Sequence, residues 1–297
     1  MLQDVSDLPD IDKSIEKRKT AKTSSASSAS IASFGSSIGR RFSFKSFSSR
    51  KPTTKVEKPR NEFGLNTVYE PDETSAVIAD LVFVHGLGGG SSTTWCLKQD
   101  ADYFWPKEWL PKDPDFKGVR IHSFGYNANW ATWLKSPVDI HAFGQSLVED
   151  LRSDPKINNL DSRIILVGHS MGGLVIKKAC VLSKTNPDYS DIANRLHSLY
   201  FLGTPHRGSN LAGVLNNFLR LSGSGRRAYV SSLQAKSESI RILSDSFRIH
   251  YAGIHLHTFY ESQPTPPVGM IVDQESATLG LLADNSHGSN TDRHRLR

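Results

Sequence analysis

The sequence has only two cysteines, Cys96 and Cys180, which excludes a disulfide framework and a cysteine-rich zinc fold. No apolar run approaches the ~20 residues that span a bilayer. The densest stretch is Ile164–Val167. The first residues, Met1 to Val5, contain Asp4 and form no apolar core, which argues against a secretory signal. Asp4, Asp7, Asp10 and Asp12 argue against a mitochondrial presequence in the same way. No N-x-Ser/Thr acceptor occurs. An intracellular, cytoplasmic protein is the expectation.

A hydrophobic share of 37% is lean for 297 residues and points to a segment outside any core. The charge locates it. Residues 1–60 hold 13 Lys/Arg against 6 Asp/Glu, whereas the remaining residues hold 23 against 24. Residues 24–49 contain 12 serines, with Phe34, Phe42, Phe44 and Phe47 among them. Such a composition cannot bury enough apolar surface to offset chain entropy, so 1–62 is expected to be a disordered basic tail. It is either a solvated linker or a basic-aromatic segment that touches an anionic membrane, with its serines as phosphorylation switches. The near-neutral remainder gives no electrostatic reason to expect nucleic acid as a partner.

From residue 63 onward short apolar strands alternate with helices. Leu81–Val84, Val119–Phe124, Arg163–Val167, Leu199–Leu202, His255–Tyr260 and Val268–Val272 read as strands. Val138–Arg152, Leu174–Leu182 and stretches near 208–221 and 237–249 read as helices. The pattern predicts an α/β domain over 63–297 with a mainly parallel sheet, and functional residues in loops at the carboxyl ends of strands.

Gly168-His169-Ser170-Met171-Gly172 fits G-x-S-x-G between a buried strand and a helix, which is the setting of a nucleophile elbow. The turn is so sharp that side chains two residues before and after the serine would collide. His85-Gly86-Leu87-Gly88-Gly89-Gly90 also follows a strand, and its glycines allow a backbone N–H to turn inward. The N–H groups of Leu87 and Met171 are the candidate oxyanion donors, and His85, Gly86 and His169 the candidate pocket wall. A phosphate cradle fits less well, because no G-x-x-x-x-G-K-[ST] occurs and Ser91 takes the third glycine position of G-x-G-x-x-G.

A serine needs a base, and the base an orienting acid, in the chain order Ser, acid, His. Glu261 and Asp273 stand at candidate strand ends, and Glu261 follows the better strand. Beyond it lie His287, in a polar loop, and His294, near the terminus. His206 precedes any suitable acid and is expected in a loop wall near the site. Trp95, Trp105, Trp109, Trp130 and Trp133 suit either core packing or an acyl-binding lid.

With these residues in place, the chain resembles the serine-active-site α/β-hydrolases related to lipases and GPI inositol-deacylases. The likeness is strongest to the N-terminal hydrolase domains of fungal NACHT- or ankyrin-type receptors. The stretches that carry it are 81–95 (LVFVHGLGGGSSTTW), 104–112, 123–127, 165–178 (ILVGHSMGGLVIKK), 201–211 (FLGTPHRGSNL), 258–261 (TFYE) and 275–280. The resemblance implies the α/β-hydrolase fold, Ser170 as nucleophile and Glu261 as acid, cleavage of an ester or lipid substrate, and no metal or organic cofactor. It also implies peripheral association with mitochondrial or endoplasmic reticulum membrane. The family sets its histidine directly after an acid, in an A-D-H pattern, with a final helix beyond. Here two more residues separate Asp284 from His287, and truncation of the C-terminus is the expectation. The other functional class to weigh is therefore a catalytically impaired hydrolase fold serving as a signalling or interaction module.

Overall fold

The structure is a computed structural model. It describes residues 59–97, 100–129, 139–158, 161–207, 230–263, 272, 274–277, 279 and 284–289, all within the compact unit Thr54–Arg297. The strands are β1 (Gly64–Tyr69), β2 (Ala79–Val84), β3 (Val119–Gly125), β4 (Arg163–His169), β5 (Leu196–Leu202), β6 (His255–Glu261) and β7 (Asp284–Ser289). They form one sheet in the order β1-β3-β2-β4-β5-β6-β7, antiparallel at β1 and parallel throughout the rest. The helices that bear on the site are α1 (Asp139–Ser153), α2 (Met171–Thr185), α3 (Ser190–Arg195), α4 (Val230–His250) and the single turn α5 (Gln274–Ala277).

The period-two strands bury both faces, as a parallel sheet requires. One face carries Val82, Val84, Leu166, Phe201 and Leu256 against Leu147 of α1, Leu174 and Ile176 of α2, and Phe247 of α4. The other face carries Leu81, Phe83, Ile121 and Val167, covered by the segment between β2 and β3. There the ring centroids of Trp95 and Trp105 lie 5.0 and 5.1 Å from Phe83. These two tryptophans are therefore core. Trp109 is half exposed, and Trp130 and Trp133 lie outside the described residues.

A buried polar knot ties the amino ends of the strands. Asp80 accepts hydrogen bonds from Arg120 Nε (2.7 Å), from Ser162 Oγ and from Arg195 of α3, and pairs with His122 Nε2 (3.0 Å). Burial alone would raise its pKa, but the hydrogen bonds from His122, Arg120 and Ser162 and the Arg120 charge outweigh burial and hold it below the usual carboxylate value. The knot clamps the end of the sheet opposite the elbow.

The sequence reading differs from the structure at both sheet edges. β1, half-buried along its length, was not foreseen, and 284–289 forms a strand rather than a polar loop. Asn61 and Glu62 bond to Ser91–Thr93 and so belong to the folded unit. Residues 1–58 of the expected tail over 1–62, the helix near 208–221 and most of the strand at 268–272 lie outside the described residues.

Candidate active site

β4 ends at His169, and the chain turns at Ser170 into α2. Ser170 has φ +53° and ψ −119°, and among the described residues it is the one non-glycine with positive φ. That conformation is costly for an L-residue and persists only when its surroundings hold it. Three contacts do so. Ser170 N–H donates to the Leu202 carbonyl at 2.8 Å. A Cβ on Gly168 would come within 2.6 Å of Gly173 backbone. A Cβ on Gly172 would stand 2.2 Å from the Val84 carbonyl oxygen and 2.4 Å from that of His85. The glycines are there because the backbones touch.

The oxyanion loop closes on the same point. A Cβ on Gly86 would meet Ser170 Cβ at 2.8 Å, so the backbone that leads into Leu87 lies directly against the nucleophile. Met171 is the first residue of α2, and its N–H has no acceptor within the helix. Both candidate donors thus border Ser170, which is itself buried. His169 is half-buried, its ring edge-on to Trp95 at 6.2 Å.

His85, a candidate wall residue, borders a cleft, and its ring nitrogens are engaged within the fold. It is fully buried, stacked on Tyr126 at 4.3 Å, with Nδ1 3.0 Å from the Gly86 carbonyl and Nε2 accepting from the Tyr126 N–H at 3.2 Å. These bonds assign the neutral ring with its proton on Nδ1. His85 supports the loop from beneath and presents no ring nitrogen to substrate. A cleft of about 390 Å³ is lined by His85 together with Asn61–Phe63, Gly88–Ser91 and Gly125–Asn129, and Ser170 is not among its lining residues.

His206, expected in a loop wall near the site, follows β5. It is buried edge-on to Phe201 at 4.7 Å, and neither ring nitrogen has a hydrogen-bond partner among the described residues. Its carbonyl accepts from Ser244 Oγ, which in turn accepts from Lys177 Nζ at 3.1 Å.

Both buried histidines bear on acid stability. Burial pushes the His85 pKa down to about 4, against the raising effect of its bond to Gly86. Burial and the Lys177 charge push His206 well below its ordinary value. The unfolded chain takes up protons on these rings below about pH 6.5, while the folded chain does not. Stability should therefore be intact above that pH and fall toward pH 4, by about 3 kcal/mol from His85 alone. Urea denaturation between pH 7.5 and 4.5 checks this, and a stability unchanged from pH 7 to 5 would contradict it.

Glu261 is the last residue of β6 and half-buried. The register sets it at the same sheet end as Ser170, because His169 pairs with Leu202 and Leu202 with Phe259. His287 does not lie in a loop beside them. It sits within edge strand β7, paired with Phe259. Three strand spacings of about 4.8 Å put its backbone roughly 14 Å from that of His169.

Residues 80–224 match the family described as "Putative serine esterase (DUF676)". The matched stretch takes in both the oxyanion loop and the Ser170 elbow. Protein SERAC1 of Homo sapiens is 30% identical to this chain over 241 residues, 73% of this chain and 36% of that protein. Protein SERAC1 of Mus musculus is 30% identical over 247 residues, with the same two shares. The chain thus spans about a third of the length of these curated relatives. Among solved structures, a lipase-esterase related protein from Clostridium acetobutylicum is 13% identical and covers 78% of this chain and 93% of that chain at a TM-score of 0.46.

Proposed function

We propose that the hydrolase cleaves a carboxylic ester through an acyl-enzyme, with Ser170 as nucleophile, His287 as general base and Glu261 as the acid that orients it. The observation that carries this is the strained, glycine-walled conformation of Ser170, with Gly86 packed directly against it. Ser170 Oγ bonds to the ester carbonyl carbon as its proton passes to His287, and the carbonyl oxygen takes up the negative charge. The N–H groups of Leu87 and Met171 stabilise that charge. The C–O bond to the alcohol then breaks, and the proton on His287 goes to the leaving oxygen. Water, deprotonated by the same histidine, releases the acid and restores the serine.

For His287 to serve, its strand must give up the register described above. Among the described residues β7 lies at the sheet edge and pairs with β6 alone, so that shift disrupts a single ladder. The same register favours a second reading, that the chain is a catalytically impaired hydrolase fold used as a signalling or interaction module.

We place the ester in a lipid, of the inositol-deacylase kind that the sequence resembles. Tyr103 and Trp109 expose about half their surface on the segment that covers the sheet, and such rings suit a membrane interface. The basic tail supplies charge for an anionic surface. No helix among the described residues is long and apolar enough to cross a membrane. Peripheral binding at a mitochondrial or endoplasmic reticulum surface, facing the cytoplasm, completes the proposal.

Labelling rates with a fluorophosphonate probe separate the two readings. His287→Ala should slow labelling by about 10³-fold or more, and Glu261→Gln by about 10²-fold or more. A wild type that is folded by circular dichroism yet unlabelled supports the impaired module. Labelling unchanged in His287→Ala places the base elsewhere.

A further inference from the structure

We infer that Asn61, on the short segment preceding β1, is a positioning residue for the oxyanion loop. Its side chain lies 31 residues in sequence from the turn that it holds. Asn61 Oδ1 accepts from Ser92 N–H (3.0 Å), Thr93 N–H (3.0 Å) and Thr93 Oγ1 (3.2 Å). These groups open the 3-10 turn Thr93–Trp95, whose own N-cap residue, Ser92, makes no side-chain cap. Asn61 thus caps the turn from outside, satisfying N–H groups that the turn leaves without partners.

The turn in turn grips the loop. Thr94 Oγ1 accepts from Gly90 N–H at 3.1 Å, and Thr94 N–H donates back to the Gly90 carbonyl at 3.3 Å. The carboxamide of Asn61 also fills the space beside Gly90, where a Cβ would stand 2.2–2.4 Å from its atoms. At its other end the loop is fixed by Gly86 against Ser170 and by Gly88 N–H on the Ala128 carbonyl at 2.9 Å. Leu87 lies between these anchors. Its N–H can aim at a developing oxyanion only while both ends hold, and a small misplacement of such a donor is costly in rate. The inference rests on the assignment of the Leu87 N–H to the oxyanion hole.

Asn61 is exposed, so truncating it opens no core cavity. Steady-state hydrolysis of p-nitrophenyl butyrate by the full chain is the test. Asn61→Ala should lower kcat about tenfold with KM within about twofold, because a misaimed oxyanion donor weakens the transition state and not ground-state binding. Asn61→Asp keeps the accepting oxygen and should retain near-wild-type kcat. Thr94→Val, which releases Gly90 from the other side, should match Asn61→Ala, and the double variant should be little worse than either single one. Should Asn61→Ala fail to fold, the comparison of Thr94→Val with Thr94→Ser carries the test alone. Unchanged kcat in Asn61→Ala, a KM effect in place of a kcat effect, or an Asn61→Asp as impaired as Asn61→Ala overturns the inference. A wild type without turnover or probe labelling overturns instead the hydrolase assignment beneath it.

Discussion

Ester turnover by Ser170→Ala should fall by a factor of about 10⁴ or more while the fold stays intact. The substitution removes one oxygen and keeps a Cβ in the same strained backbone. Ser170 Oγ accepts no helix-capping bond, so its loss leaves α2 unchanged. The N–H of Ser170 still bonds to Leu202, because that contact belongs to the main chain. Initial rates on a short-chain nitrophenyl ester, with the thermal midpoint as control, check the expectation. An Ala variant within tenfold of wild type would mean that the strained elbow is not the seat of the chemistry.

Gly172→Ala should lower kcat by about 100-fold and also lower stability. The added Cβ would meet two carbonyl oxygens, those of Val84 and His85, at 2.2 and 2.4 Å. Both belong to backbone at the end of a central strand, which cannot rotate away as a side chain can. The start of α2 must therefore retreat from β2, carrying Ser170 and the Met171 N–H with it. Overpacking of this kind costs about 1–3 kcal/mol, and a displacement near 1 Å at a reacting centre costs about 10²-fold in rate. Denaturant midpoints and kcat on the same ester measure the two effects together. A fully active, fully stable Gly172→Ala would contradict the close backbone approach on which the elbow rests.

The elbow was legible in the sequence because its causes are local. Gly168, Gly172 and Ser170 lie within five residues, and the strand before and helix after them carry plain apolar patterns. Glu261 was legible as a strand end, and the register bears out that position. What escaped was set by distance along the chain or by pairing. The cap from Asn61 crosses 31 residues, and the knot at Asp80 joins β2, β3, the start of β4 and the end of α3. No window of sequence contains either. β7 reads Asp284-Asn285-Ser286-His287-Gly288-Ser289, a turn-like composition, yet it takes strand form along β6, because a ladder of backbone hydrogen bonds overrides weak local preference. His85 adjoins the oxyanion glycines in sequence, but the packing of its ring could not be read there. Its burial follows from Tyr126, 41 residues away, which stacks on the ring and takes its carbonyl.

The central claim is that Ser170 is an activated nucleophile in a working oxyanion site. The most direct test is to react purified wild type with a fluorophosphonate probe and map the adduct by tandem mass spectrometry. The account expects one adduct, on Ser170, formed on a time scale of minutes and absent from Ser170→Ala. A folded protein that forms no adduct, or forms it on another serine, would contradict it.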